Sequence, residues 1–139
     1  MAAAFPLDIV TPERTVLSET VTSVQLPAVD GSMGILAGHA PLLAELGVGE
    51  CVVRTVTGAE EVYALAGGFV EVSRERVTIL ADTAQHASEI DIDRAEEALS
   101  EARNMLTRLD GTVNTEEVNE AIRKAQSQIR VARGGARNN

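Results

Sequence analysis

An α+β architecture, an N-terminal all-β sandwich followed by a C-terminal antiparallel two-helix hairpin, is what three features of this sequence point to. The first is a break in composition near residue 88. All 4 prolines and 8 of the 11 glycines precede it, with most of the valines, while Ala, Glu, Arg, Asn and Gln dominate after it. Strand-and-turn chemistry gives way to helix chemistry there. The second is a succession of short apolar runs, separated by turn residues, through residues 5–82. The third is a pair of single apolar seams at helical spacing in residues 91–133. The chain has 139 residues, enough for one domain or a small domain with an appendage. The expected division is 1–87 for the sandwich and 88–139 for the hairpin with its basic tail.

The strand runs are Phe5–Val10, Thr15–Leu17, Val21–Leu26, Cys51–Val56, Glu61–Leu65, Phe69–Val72 and Val77–Ala81. Turn signals fall at Thr11-Pro12-Glu13, Val29-Asp30-Gly31-Ser32, Gly38–Pro41, Gly47-Val48-Gly49, Thr57-Gly58, Gly67-Gly68 and Ser73–Arg76. Turns recurring every 8–12 residues or so are the mark of a sandwich or barrel. Strict alternation in the third run puts Thr22, Val24 and Leu26 on one face and Val21, Ser23 and Gln25 on the other.

In the first helix Ile92, Ala95, Leu99, Ala102, Leu106 and Leu109 form the seam. In the second, Val118, Ile122, Ala125, Ile129 and Ala132 do the same. Both are narrow stripes of the a/d kind. Asp110–Val113 breaks the helical run, and Asn114, three residues before Glu117, reads as a cap. A loop this short makes the helices antiparallel neighbours. Asp91, Asp93, Glu96 and Glu97 then lie beside Arg130 and Arg133, and acids lead each helix as the macrodipole favours. The alanine-rich seams are too lean to hold two helices without another surface, and they separate easily. The hairpin is expected to need the sandwich or another protein, and to be movable.

Charge narrows the function. Residues 1–120 carry all 21 acids against 7 bases, and residues 121–139 carry 5 bases and no acid. A net −14 body excludes duplex binding, which needs a broad positive surface. Aromatics are 2% of the chain, too few for stacking on single strands. No nucleic acid partner is expected. One cysteine, Cys51, allows neither an internal disulfide nor a multi-cysteine metal site. The start, MAAAFPLDIV, has no basic leader segment, and the uncharged run Gly31–Ala44 is too short and broken to span a bilayer. No direct membrane insertion is expected.

Catalytic motifs are missing as well. Lys124 is the sole lysine and falls in the second helix, so no phosphate loop ending in Lys-Ser/Thr exists. There is no G-x-S-x-G elbow, and His39 and His86 lie in no H-E-x-x-H pattern. Cys51, within a strand run, reads as a buried, inert thiol. Two segments admit two readings each. Gly34–Leu42 is either a tight apolar corner or a contact surface. Ile90-Asp91-x-x-Arg94-Ala95 is either a helix cap with its staple or an anion site at a helix start. The basic tail either complements the first helix or docks on an acidic protein.

Taken in order, Val10-Thr11-Pro12-Glu13, Asp30–Leu36, Gly38-His39-Ala40-Pro41-Leu42, Gly67–Val72, Val77–Ala84 and Ile90-Asp91-x-x-Arg94-Ala95 resemble the epsilon subunit of the F-type rotary ATP synthase. The resemblance spans about residues 5–133. It implies a non-catalytic central-stalk subunit that couples proton-driven rotation to ATP synthesis. Its partners are the gamma subunit and the c-subunit ring, with the catalytic alpha and beta subunits reached through the hairpin. In many bacterial members the hairpin leaves the sandwich and restrains ATP hydrolysis. The resemblance places Asp30, Gly31, Ser32, His39, Ala40, Pro41 and Leu42 against the c ring and gamma; the docking reading of the basic tail makes Arg123, Arg130 and Arg133 the candidate contacts to a partner. Ser32 stands where an acid is common. It also implies a peripheral position on the cytoplasmic side of a plasma membrane, or the stromal side of a thylakoid.

Some members of that family bind ATP through the Ile-Asp-x-x-Arg-Ala motif. Ile90, Asp91, Arg94 and Ala95 match it. Gln85 replaces an acid, Glu101 an arginine, and Lys124 and Gln128 stand for an arginine pair. The expected cofactor set is none, with weak ATP binding as a regulatory ligand. The alternatives to a stalk subunit are a free nucleotide-sensing module and a β-sandwich adaptor whose basic tail holds an acidic protein.

Overall fold

The computed structural model describes residues 3–108, 111 and 113–134. Leu109, Asp110, Thr112 and Arg137, to which the sequence assigns seam, loop and tail roles, lie outside the described residues. Seven strands come first: β1 (Phe5–Val10), β2 (Thr15–Ala28), β3 (Gly31–Leu36), β4 (Leu42–Glu45), β5 (Val48–Thr55), β6 (Glu60–Val72) and β7 (Val77–His86). A single 3-10 turn, Ala87–Glu89, leads to helices α1 (Ile92–Leu106) and α2 (Thr115–Ala132).

The ladder β1-β7-β6-β5-β2 closes on itself, because β2 also pairs with β1. The β1–β7 pairing is parallel and the others are antiparallel. β3 extends the far half of β2, and β4 extends the far half of β6. The result is a flattened sandwich around one apolar core, with Leu7, Ile9, Val21, Val24, Leu26, Ile35, Leu65, Val70 and Ile79 at its centre.

Two departures from the sequence reading have clear causes. Val21, Val24 and Leu26 are all buried, although alternation splits them between faces. A bulge in β2 between Val21 and Ser23 shifts the register against β5 and turns Val21 inward with the others. Gly67-Gly68 is not a turn but a corner inside β6. Before it β6 lies on β5; after it β6 lies on β4. Both glycines have positive φ, +73° and +113°. A Cβ on Gly68 would stand 2.0 Å from the Leu80 carbonyl oxygen. The corner also swaps which residues face the core: Tyr63 and Leu65 before it, Val70 and Val72 after it. β3 and β4 carry no run in the sequence reading, because Gly31 and Gly34 break up the apolar residues of β3 and β4 is only four residues long.

Each helix is capped as its sequence indicates. The Asp91 carboxylate accepts the Arg94 N–H at 3.2 Å, and the Asn114 side-chain oxygen accepts Glu116 and Glu117 N–H at 3.0 and 3.2 Å. The helices pack on each other, and α2 supplies the packing against β5 and β6.

The candidate functional site is the seat of the hairpin

On β5 and β6 the core-facing residues are Cys51, Val53, Tyr63 and Leu65. Their neighbours in sequence therefore point outward. Register places Val48 opposite Ala66, Glu50 opposite Ala64 and Val52 opposite Val62, with Gln85 of β7 beside Ala64. Ala64 and Ala66 are buried although they lie on the outer face. They are buried because α2 covers them, and their small side chains let it approach closely.

Onto this face α2 sets Lys124, Ser127, Gln128 and Val131, which lie within one strip of the helix. Val131 is 1% exposed and Ser127 2%. Two polar anchors flank them. Gln128 Nε2 donates to Gln85 Oε1 at 2.8 Å, and Arg130 Nε donates to Glu50 Oε1 at 2.8 Å. Arg133 reaches Glu96 of α1 at 2.7 Å, the inter-helix pairing that the charges foreshadow. Arg130 departs from that expectation by turning to the sheet. The seam of α2 toward α1 holds Val118 and Ala125 buried, with Ile122 and Ile129 half-buried. So α2 has two contact strips, where the sequence reading has one. A signal for the second exists: Val62–Ala66 contains no charged residue, and a strand apolar on both faces is covered on both.

The junction between sandwich and helices is a compact polar knot. His86 caps the 3-10 turn, its Nδ1 accepting the Ser88 N–H at 3.1 Å. Its Nε2 meets Glu61, and its ring stacks edge-on against Tyr63. Glu89 accepts the His86 backbone N–H at 3.0 Å, and its two oxygens both accept from Arg14 Nη2, at 2.8 and 2.9 Å. The backbone N–H first, and the Arg14 guanidinium second, hold the Glu89 carboxyl below the usual carboxylate range. Burial, aided by Glu61, pushes the Tyr63 phenol up to about 12, and burial alone does the same for the Cys51 thiol. Cys51 is therefore a protonated core residue, not a thiolate.

Ile90, Asp91, Arg94 and Ala95 come together with Gln85, Glu89, Ala98 and Gln128 around a cavity of about 280 Å³. That lies just below the range of about 300–1,000 Å³ for small-molecule sites. Two of the residues that depart from the nucleotide-binding pattern, Gln85 and Gln128, bond to each other across its rim. Asp91 spends one oxygen on its own helix cap. Asp30, Gly31 and Ser32 are exposed at the start of β3. His39, Ala40, Pro41 and Leu42 follow its other end, with His39 Nδ1 against the Ala40 carbonyl at 2.7 Å. The length of β3 keeps these two groups roughly 20 Å apart. Gly31 and Ser32 instead share a cavity of about 420 Å³ with Arg130. Arg123, two turns earlier on α2, stands apart beside Glu116, Glu117 and Glu120. Exposed Leu36 and Leu43 flank the loop that carries His39. Among the described residues no group of three or more His, Cys, Asp or Glu is placed to hold a metal ion, and no helix is long and apolar enough to cross a membrane.

Known proteins share this plan along nearly its whole length. A family profile described as "ATP synthase, Delta/Epsilon chain, beta-sandwich domain" matches residues 4–87, and one described as "ATP synthase, Delta/Epsilon chain, long alpha-helix domain" matches residues 88–133. The "ATP synthase epsilon chain" of Desulfitobacterium hafniense strain Y51 is 43% identical over 134 residues, covering 96% of this chain and 99% of that protein. The "ATP synthase epsilon chain, sodium ion specific" of Propionigenium modestum is 37% identical over 130 residues, covering 94% of each. A chain of the Euglena gracilis mitochondrial ATP synthase, in a structure titled as its OSCP/F1/c-ring in rotational state 1, superposes with a TM-score of 0.80 at 27% identity, over 91% of this chain and 80% of that one. On sequence, fold and coverage together, the chain belongs to the ATP synthase delta/epsilon chain family.

Proposed function

We propose that this chain is a central-stalk subunit of a rotary, proton-translocating ATP synthase, with residues 1–87 as the seat and 88–139 as a movable arm. The sandwich binds the gamma subunit and the c-subunit ring and transmits rotation between membrane and catalytic head. It does no chemistry of its own. The surfaces assigned to those partners are Asp30–Ser32 and His39–Leu42. Because they lie at opposite ends of β3, each meets a different partner. The subunit sits peripherally on the cytoplasmic face of the plasma membrane, and in a plastid source on the stromal face of the thylakoid.

The arm restrains ATP hydrolysis when it leaves the seat and reaches the catalytic alpha and beta subunits. The observation that carries this reading is the thinness of its attachment. α1 rests mainly on α2, and α2 is held to the sheet by one strip, with the Gln128–Gln85 and Arg130–Glu50 bonds close together in its C-terminal half. Once released, Arg123, Arg130 and Arg133 present positive charge to acidic partners. ATP, bound weakly through Arg94 and the Ile90–Ala95 motif, favours the seated form. Removing residues 88–139 from the assembled enzyme is the test. Hydrolysis rises while the complex still assembles. Unchanged hydrolysis in the truncated enzyme, measured uncoupled at low ATP, overturns the restraining role.

A further inference from the structure

Ser127 sits at the middle of the strip by which α2 is seated, one residue from Gln128 and three from Arg130. It is 2% exposed, and its Oγ is buried with no hydrogen-bond partner among the described residues. A serine inside a helix ordinarily gives its proton to the carbonyl one turn back. Here neither that carbonyl nor any group across the interface takes it. The surroundings offer little: the covered side chains of the sheet at this face are Val48, Val52, Val62, Ala64 and Ala66. Of the polar residues nearby, Gln85 is engaged with Gln128 and Glu50 with Arg130, and Lys124, one turn earlier on the same strip, makes no bond to the Oγ. A hydroxyl stripped of water and left unpaired opposes the state that buries it. It regains water as soon as α2 lifts away.

We propose that Ser127 is a built-in release element: an unpaired hydroxyl, placed under the seated helix, that sets how often the arm leaves the sandwich. This rests on the proposed movement of the hairpin. It assigns to one side chain the tuning of that equilibrium. The Oγ opposes only the seated state, so its removal tightens seating without adding any contact. It also works without ligand, so this chain releases its arm even where ATP is weakly held.

The test is native-state hydrogen exchange on the full-length subunit, read on peptides of α2. Exchange of α2 amides follows release, because the hairpin has too lean a seam to stay protected alone. Ser127→Ala slows that exchange by roughly 5- to 100-fold, the effect of one orphaned buried hydroxyl on the opening equilibrium. Two controls isolate the cause. Ser100→Ala, on the exposed side of α1, measures the helix-propensity gain that any such change brings. Ser127→Cys keeps the side-chain shape and a similarly low helix propensity, with a somewhat larger atom, but replaces the hydroxyl by a weakly polar thiol. It slows exchange by an intermediate factor. If Ser127→Ala slows exchange no more than Ser100→Ala, or Ser127→Cys leaves it unchanged, the proposal is overturned. Hydrolysis by the assembled enzyme is a separate readout. Slower exchange with unchanged hydrolysis upholds the release element and overturns the restraining role of the arm.

Discussion

Truncating Val131 to alanine loosens the arm while sparing the sandwich. Val131 is 1% exposed and does not belong to the sandwich core. It lies roughly 140° around α2 from the middle of the seam that faces α1, so what it loses is contact with the sheet. Two buried carbons are removed, at about 0.8 kcal/mol each. The hollow left between helix and sheet raises the total to about 2–3 kcal/mol. At 1.4 kcal/mol per tenfold, the seated-to-released equilibrium moves about 30- to 140-fold toward release. Hydrogen exchange reads this directly. Peptides across residues 118–131 exchange faster by that factor, while peptides from β1, β6 and β7 keep their protection. The assembled enzyme hydrolyses ATP more slowly. Equal acceleration across sandwich and helix refutes the reasoning, because it makes Val131 a member of the common core. So does an unchanged α2.

Other outcomes follow from the same geometry. Gly68→Ala forces a Cβ to within 2.0 Å of a backbone oxygen at a φ of +113°. Denaturant titration is expected to show a loss of at least 2–3 kcal/mol in sandwich stability, and a loss under 0.5 kcal/mol counts against the corner. Glu89 has a lowered pKa in the folded chain, so its contribution is present above the unfolded carboxylate value and lost as pH falls through the folded one. Glu89→Gln therefore matters at neutral pH, where it speeds exchange at residues 86–92, and ceases to matter in acid once the wild-type carboxylate is protonated. Calorimetric titration of ATP into the full-length subunit gives weak heats that Arg94→Ala abolishes, and Gln128→Arg enlarges them by restoring a cation to the cavity rim. Equal heats for wild type and Arg94→Ala remove Arg94 from the account. Cys51, a buried thiol with its pKa pushed up to about 12, resists alkylation at pH 8 until the sandwich is unfolded.

The architecture was legible because it rests on local signals. Helix caps at Asp91 and Asn114 are written in side chains that bond their own first turn. The seam residues Ala95, Ala102, Val118 and Ala125 recur at helical spacing, and all are buried. What escaped depends on contacts distant in sequence. The Gly67-Gly68 corner looks like any turn dipeptide until β4 and β5 are known to lie on either side of it. The β2 bulge is visible only against β5. Glu50 and Arg130 are 80 residues apart, and nothing local marks either as the other's partner. Ser127 reads as one more polar residue on a solvated helix face, because helical period alone assigns one buried strip to α2. The uncharged stretch Val62–Ala66 was the available hint that the outer sheet face is covered. The motif around Arg94 was found by pattern. Only the fold shows that Gln85 and Gln128 bond across the mouth of its cavity.

Whether the arm acts by leaving its seat is tested most directly by tying it down. Gln85→Cys and Gln128→Cys place thiols where the two amides now meet, and a short bifunctional maleimide joins them while buried Cys51 stays unreacted. Hydrolysis by the reconstituted enzyme is then compared before and after joining, uncoupled and at low ATP. The joined enzyme hydrolyses faster, because its arm no longer reaches the catalytic head. An equal or lower rate after joining contradicts the account.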